Sequence, residues 1–170
     1  MIGTPVANEK PLFTNYQAGQ IDGDTMEQLK ILLVDDEERL LSTTKKLFEK
    51  MGIYALTASS GKDALSVLEE QAVDVVFLDI KMPGMDGMET LQRIKKNYPL
   101  MEVIILTGHA TMETAVECLK LGALDYLIKP VSMKDFLGKA EEAFEKVTLQ
   151  KQKIHSARMV EATGGQGGLR

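Results

Sequence analysis

Short apolar runs alternate with segments whose apolar residues recur at spacings of three and four, and this alternation narrows the possible folds sharply. The runs fall at 31–34, 53–56, 73–78, 103–106 and 124–128. Several are apolar at successive positions, as strands buried on both faces of a parallel sheet are. The segments between them, about 38–51, 61–71, 86–96, 111–121 and 133–150, have the spacing of amphipathic helices. Met51-Gly52 and Leu121-Gly122 mark helix ends, with glycine taking the left-handed position. Strand and helix in strict alternation predict an open, doubly wound α/β domain with right-handed crossovers. In such sheets chemistry collects at the carboxyl ends of the strands, near a topological switch point.

A chain of 170 residues accommodates one such domain with tails on either side. Residues 1–28 are read as a mobile N-terminal extension, because no period is sustained there. Residues 29–150 are read as the folded domain, and 151–170 as a helical extension ending in a glycine-rich tail. With 44% apolar and 26% charged residues the composition is that of a globular chain rather than a disordered one. Aromatics reach only 5% and tryptophan is absent, so the core must come from Leu, Ile, Val, Ala and Met. A net charge of -5 gives little electrostatic attraction for nucleic acid. Cys118 stands alone, which excludes an internal disulfide or a cysteine zinc site; it reads as a small semi-buried helix residue. No stretch has the length and apolarity of a signal peptide core or a membrane span, so no membrane partner and a cytoplasmic location are expected.

The residues that follow the apolar runs carry the chemistry. Asp35-Asp36-Glu37-Glu38 follow the first, Asp79 the third, Thr107-Gly108 the fourth and Lys129-Pro130 the fifth. If the strands share one parallel sheet, Asp35, Asp36, Asp79, Thr107 and Lys129 meet on one rim. Acidic residues alone favour a helix N-terminus for ordinary reasons. Adjacent acids after a buried strand, with a third at another strand end, point instead to a site. Clustered carboxylates repel one another and call for a cation, and hard oxygen ligands select Mg²⁺, with Mn²⁺ as a second candidate. Lys129, between a buried run and a proline, is placed to reach back to these acids as a point charge.

The segments LLVDDEE, VFLDIKMPGMDGMETL, VIILTGHA and GALDYLIKPV occur in the order found in bacterial response-regulator receiver domains, and the chain resembles that family over about 29–150. The resemblance implies a flavodoxin-like (βα)5 fold with a five-stranded parallel sheet in the order 2-1-3-4-5. It implies Asp79 as phosphoacceptor, Asp36 as a direct Mg²⁺ ligand, Asp35 as its acidic neighbour, and the Lys81 backbone carbonyl as a further ligand. Thr107 and Lys129 match the residues that contact the phosphoryl group, and Tyr126 matches the aromatic switch residue coupled to the threonine. Lys81 and His109 occupy the positions that tune phosphoryl lifetime; neither is a carboxylate, which implies a long-lived phosphoryl group. Pro130 suggests a cis Lys129-Pro130 bond.

The implied function is a phosphorylation-activated switch, charged by a sensor histidine kinase or phosphotransfer protein. It is not a conventional enzyme, although it assists its own phosphorylation and dephosphorylation. LTGHATMETAVECLKLGALDYLIKPV is similar to receivers of NtrC-class activators, so the chain is read as freestanding or as part of a larger transcriptional regulator. Met133, Leu137, Ala140, Phe144 and Val147 form an apolar stripe on the last helix, and Ile154 continues it past Lys151. A homodimer through this helix is one assembly the stripe suggests. Two rival classes share the architecture. A flavodoxin-like cofactor binder would need a phosphate loop where Asp35-Asp36-Glu37-Glu38 stand. An aspartyl-nucleophile phosphatase of the haloacid dehalogenase class would need a second Asp where Lys81 stands.

Overall fold

A computed structural model of the chain describes residues 29–108 and 111–163. The elements are β1 (Lys30–Val34), α1 (Glu38–Lys50), β2 (Tyr54–Ala58), α2 (Gly61–Glu70), β3 (Val75–Asp79), α3 (Gly87–Asn97), β4 (Glu102–Thr107), α4 (Met112–Lys120), β5 (Asp125–Ile128) and α5 (Met133–Thr163). All strand pairings are parallel, and the sheet runs β2-β1-β3-β4-β5. This is the doubly wound, flavodoxin-like order expected from the alternation and the resemblance together. Its switch point lies between β1 and β3, where the crossovers change direction.

The interior strands explain why their sequences lack alternation. β3 and β4 are buried at every residue, and β1 at all but Lys30. Odd and even positions simply face different helices. Ile31, Leu33, Val75, Phe77, Ile104 and Leu106 pack against α1 and α5. Leu32, Val34, Val76, Leu78, Val103 and Ile105 pack against α2, α3 and α4. On the first face Phe48 of α1, Phe77 of β3 and Phe136 of α5 form a ring cluster, with centroids 5.1 to 6.4 Å apart. Edge-to-face rings at such separations add to the burial of their area.

Several element boundaries differ from those the spacing suggests. β3 starts at Val75 because Asp74 is occupied with β1: its amide donates to the Lys30 carbonyl and its carboxylate accepts the Lys30 amide. β2 runs Tyr54–Ala58, later than the apolar run, because the Ile53 amide turns back to the Phe48 carbonyl and closes α1. Gly52 and Gly122 sit at φ 77° and 97°, as the capping role requires. α5 runs from the folded domain on to Thr163, through the segment read as a helical extension. Lys146 pairs with the buried Glu102 at 3.0 Å, and Lys151 with Asp74 at 3.1 Å. Lys151 thus interrupts the apolar stripe because it is engaged with the base of the sheet. Residues 151–161 are exposed, Ile154 among them. The glycine-rich tail and residues 1–28 lie outside the described residues.

Phe48 is fully buried and joins α1 to both other rings. Phe48→Ala is expected to lower unfolding free energy by about 3–5 kcal/mol, read from the urea midpoint at unchanged m-value.

Candidate functional site

The strand ends deliver their polar residues to one rim. Asp35 follows β1 directly and is held by its amide bond to the Ala58 carbonyl of β2, at 3.1 Å. Asp79 closes β3 and Thr107 closes β4; both are buried. The register sets Asp79 against Leu106 and Thr107 against Ile128, so these ends lie level. The Lys129 amide donates to the Thr107 carbonyl at 2.8 Å, which fixes the root of the lysine beside the rim. The Lys129-Pro130 peptide bond is cis.

From that root the Lys129 ammonium reaches across the sheet. Its Nζ lies 2.5 Å from Asp35 Oδ2, 3.5 Å from Asp79 Oδ2 and 3.6 Å from Glu37 Oε1. Asp35 spends its other oxygen on the Glu37 amide, and Asp79 Oδ1 faces the Lys81 amide at 3.4 Å. The loop after Asp79 is drawn tight, with the Gly87 amide donating to the Ile80 carbonyl at 2.9 Å. A Cβ on Gly87 would run into the Asp79 carbonyl and would lie 2.5 Å from Ile80 Cα. Only glycine lets α3 begin so close to the end of β3.

Charge at the rim is unbalanced. Burial pushes the Asp79 carboxyl above its ordinary value; Lys129 pulls it down, the nearby Asp35 charge raises it, and the Lys81 amide lowers it. The net direction is up. For Lys129 burial disfavours the ammonium, yet its bond to Asp35 and the charges of Asp35, Asp79 and Glu37 outweigh that and raise its pKa. Asp35, Asp36 and Asp79 each present one oxygen, and all three oxygens lie within 4.8 Å of one another. Such a set suits a hard divalent cation, and the exposure of Asp36 leaves room for the waters Mg²⁺ keeps.

Asp35, Asp36, Asp79, Thr107 and Lys129 are therefore brought together. Lys81 follows Asp79 by two residues with its side chain exposed. Tyr126 is half-buried opposite Ile105 and packs with the α2–α4 core. His109 lies outside the described residues. In the sequence Glu37 is one member of the acidic run Asp35-Asp36-Glu37-Glu38, with no role of its own. Its position sets it apart: it stands at the N-cap of α1, where Ser, Thr, Asp or Asn is expected, and its side chain makes no capping bond. Cys118 is fully buried, with its thiol 3.3 Å from Met88 Sδ.

A doubly wound sheet with acids, a hydroxyl and a lysine at its carboxyl rim defines a class of phosphoryl-accepting switch domains, and comparison with known proteins makes the assignment specific. The family described as response regulator receiver domain matches residues 31–141. The chain belongs to that family. It is 38% identical over 146 residues to an NtrX-like response regulator of Rickettsia felis, covering 84% of this chain and 31% of that protein. It is 40% identical over 119 residues to the transcriptional regulatory protein ZraR of Escherichia coli K12, covering 70% of this chain and 27% of that one. The chain thus spans about a third or less of these relatives. Among solved structures, a CheY-like receiver domain protein from Methanospirillum hungatei superposes with a TM-score of 0.70 at 33% identity, covering 72% of this chain and 98% of that one. A receiver domain from Clostridium thermocellum gives 0.68 at 42% identity, with the same coverage of each chain.

The chain is accordingly a two-component receiver domain related to NtrC-class regulators, a signalling switch rather than a conventional enzyme. Phosphorylation and Mg²⁺ binding are general to the family. The phosphatase reading is disfavoured. Among the described residues no helix is long and apolar enough to cross a membrane.

The raised Asp79 pKa carries a sign. Without metal, wild type loses stability as pH rises from the ordinary carboxylate range through the raised folded value, because the folded state binds the proton more tightly. Asp79→Asn removes that penalty. Its Tm is expected to exceed wild type by a few degrees at neutral pH, with the gap closing below the carboxylate range. Added Mg²⁺ should narrow the gap by stabilising wild type alone. Calorimetry across pH, with and without Mg²⁺, checks all of this.

Proposed function

We propose that Asp79 accepts a phosphoryl group from the phosphohistidine of a sensor histidine kinase or phosphotransfer protein. The observation that carries the reading is the Lys129 ammonium shared between Asp35 and Asp79 at the strand ends. An Asp79 carboxylate oxygen attacks phosphorus as the bond to the imidazole nitrogen breaks, roughly in line through a loose transition state. Lys129 stands beside the attacked group and neutralises developing charge on the phosphoryl oxygens. Asp36, Asp79, Asp35 and the Lys81 carbonyl would hold Mg²⁺, or Mn²⁺ in its place. That ion supplies further neutralisation of phosphoryl charge when bound. In this way the domain assists its own phosphorylation and, more slowly, its dephosphorylation.

The acyl phosphate presents new acceptor oxygens to the Thr107 hydroxyl and the Lys129 ammonium. Those contacts exist in only one state, so they bias an equilibrium between two surfaces, with Tyr126 following Thr107. Lys81 and His109 place no carboxylate where an attacking water would be oriented, so the phosphoryl group is long-lived. A half-life of seconds in the absence of any phosphatase removes that part of the reading. In a full-length regulator of the NtrC class the output would pass to ATPase and DNA-binding modules. The exposed turns of α5 at 151–161 would then pair with a second copy. A single monomer mass at every concentration in sedimentation equilibrium speaks against that pairing.

Intact mass after incubation with Mg²⁺ and acetyl phosphate tests the core of the proposal. Wild type is expected to gain one phosphoryl group, about 80 Da, and Asp79→Ala none. A gain that survives in Asp79→Ala overturns the assignment of the acceptor.

A further inference from the structure

We infer that Glu37 is a specificity-determining residue: its carboxylate, at the mouth of the rim, selects among phosphodonors by their charge. The inference rests on the reading of Asp79 as phosphoacceptor. Glu37 Oε1 lies 3.6 Å from the Lys129 ammonium, the group that faces both Asp35 and Asp79. Its side chain is 68% exposed, so it is the solvent-facing anion of the three around that lysine. It also lines the open groove of about 550 Å³ that runs from Lys129 over Leu40, Pro130 and Val131. Glu37 and Lys129 therefore share the lining of one solvent-open groove.

Nothing local requires a glutamate here. Ser60, Asp86, Thr111 and Ser132 each accept a backbone amide in the first turn of α2, α3, α4 and α5. Glu37 holds the equivalent place in α1 and caps nothing; only its backbone carbonyl serves the helix, accepting the Leu41 amide. The ion pair it makes with Lys129 is peripheral, and exposed pairs contribute little to stability. The side chain is thus spared from a structural duty and set beside the ammonium that faces the phosphoacceptor.

A fixed negative charge at that point acts on the donor in proportion to the donor's own charge. Acetyl phosphate reaches the site as a dianion near neutral pH. Phosphoramidate reaches it as a monoanion, because its nitrogen is protonated, and so models a phosphoimidazole with a neutral leaving group. In both reactions an Asp79 oxygen–phosphorus bond forms as the bond to the bridging atom breaks. The electron pair leaves with acetate in one case and with ammonia, already carrying its proton, in the other. Mg²⁺ and Lys129 serve both donors alike, so the ratio of their rates isolates the charge at the mouth from any general change in the site.

The experiment compares wild type, Glu37→Asp, Glu37→Gln and Glu37→Lys at saturating Mg²⁺, following Asp79 phosphorylation by intact mass with each donor. The ratio of second-order phosphorylation rate constants for acetyl phosphate over phosphoramidate is expected to rise about threefold in Glu37→Gln and about tenfold in Glu37→Lys. Glu37→Asp, which keeps the charge, should stay near wild type. At about 0.5 M salt the spread among variants should shrink, because an exposed charge is screened there. Melting temperatures should not follow the series. Ratios that stay equal across the charge series, with wild type labelled by both donors, overturn the role of Glu37 alone. Ratios that change but ignore salt overturn its electrostatic basis. Wild type labelled by neither donor overturns the phosphoacceptor reading and this inference with it.

Discussion

Among the described residues, Lys129 is the cation that reaches two buried carboxylates, Asp35 and Asp79, at the ends of neighbouring strands. Buried charges of like sign this close repel strongly, and water is too remote to screen them fully. The strands cannot move apart to relieve the strain, since β1 and β3 pair residue for residue from Ile31↔Val75 to Val34↔Leu78. Relief must therefore come from a cation brought in from elsewhere. Lys129 supplies it because its amide is tied to the Thr107 carbonyl at the end of β4, two strands from Asp35. The rest of the rim is arranged around that reach.

The relief is incomplete. Lys129 sits closest to Asp35 and shares what remains with Asp79 and Glu37, and Asp79 keeps a raised pKa. A site fully neutralised by its own lysine would have no use for a divalent cation. Asp36 adds a further, exposed anion that Lys129 is not seen to pair with, and its oxygen lies within 4.8 Å of those of Asp35 and Asp79. The deficit left by one lysine among these acids is what a divalent ion of the Mg²⁺ kind is suited to fill. The opposite end of the sheet shows the contrast. There Glu102 and Asp74 are each met by their own lysine from α5, and the result is a fastening rather than a site.

The fold was legible because its interior strands are buried on both sides, which writes continuous apolar runs into the chain. The meeting of Asp35, Asp36, Asp79, Thr107 and Lys129 followed from that fold, since parallel strands bring their carboxyl ends to one rim. What the chain hid was local competition. Asp74 reads as part of an apolar run and instead bonds the Lys30 backbone and Lys151. Lys151 reads as a break in a stripe and is an anchor. Glu37 was hidden inside a run of like residues, where position relative to Lys129 distinguishes one acid from the next and composition does not.

That last point bears on how such a site divides its labour. Asp35 is fully committed: it bonds Lys129, the Glu37 amide and, through its own amide, β2. A substitution there takes away both the Lys129 partner and the acceptor of the Glu37 amide. Asp79 is held at the end of β3 by the tight loop to Gly87, and its carboxylate belongs to the three-oxygen set at the rim. Glu37 touches the same lysine from solvent, holds no cap and belongs to no core. It is the position from which the potential at Lys129 can be altered without altering the frame. A receiver that must answer one donor and ignore others gains most from a charge placed there, outside the ladder and inside the reach of the lysine.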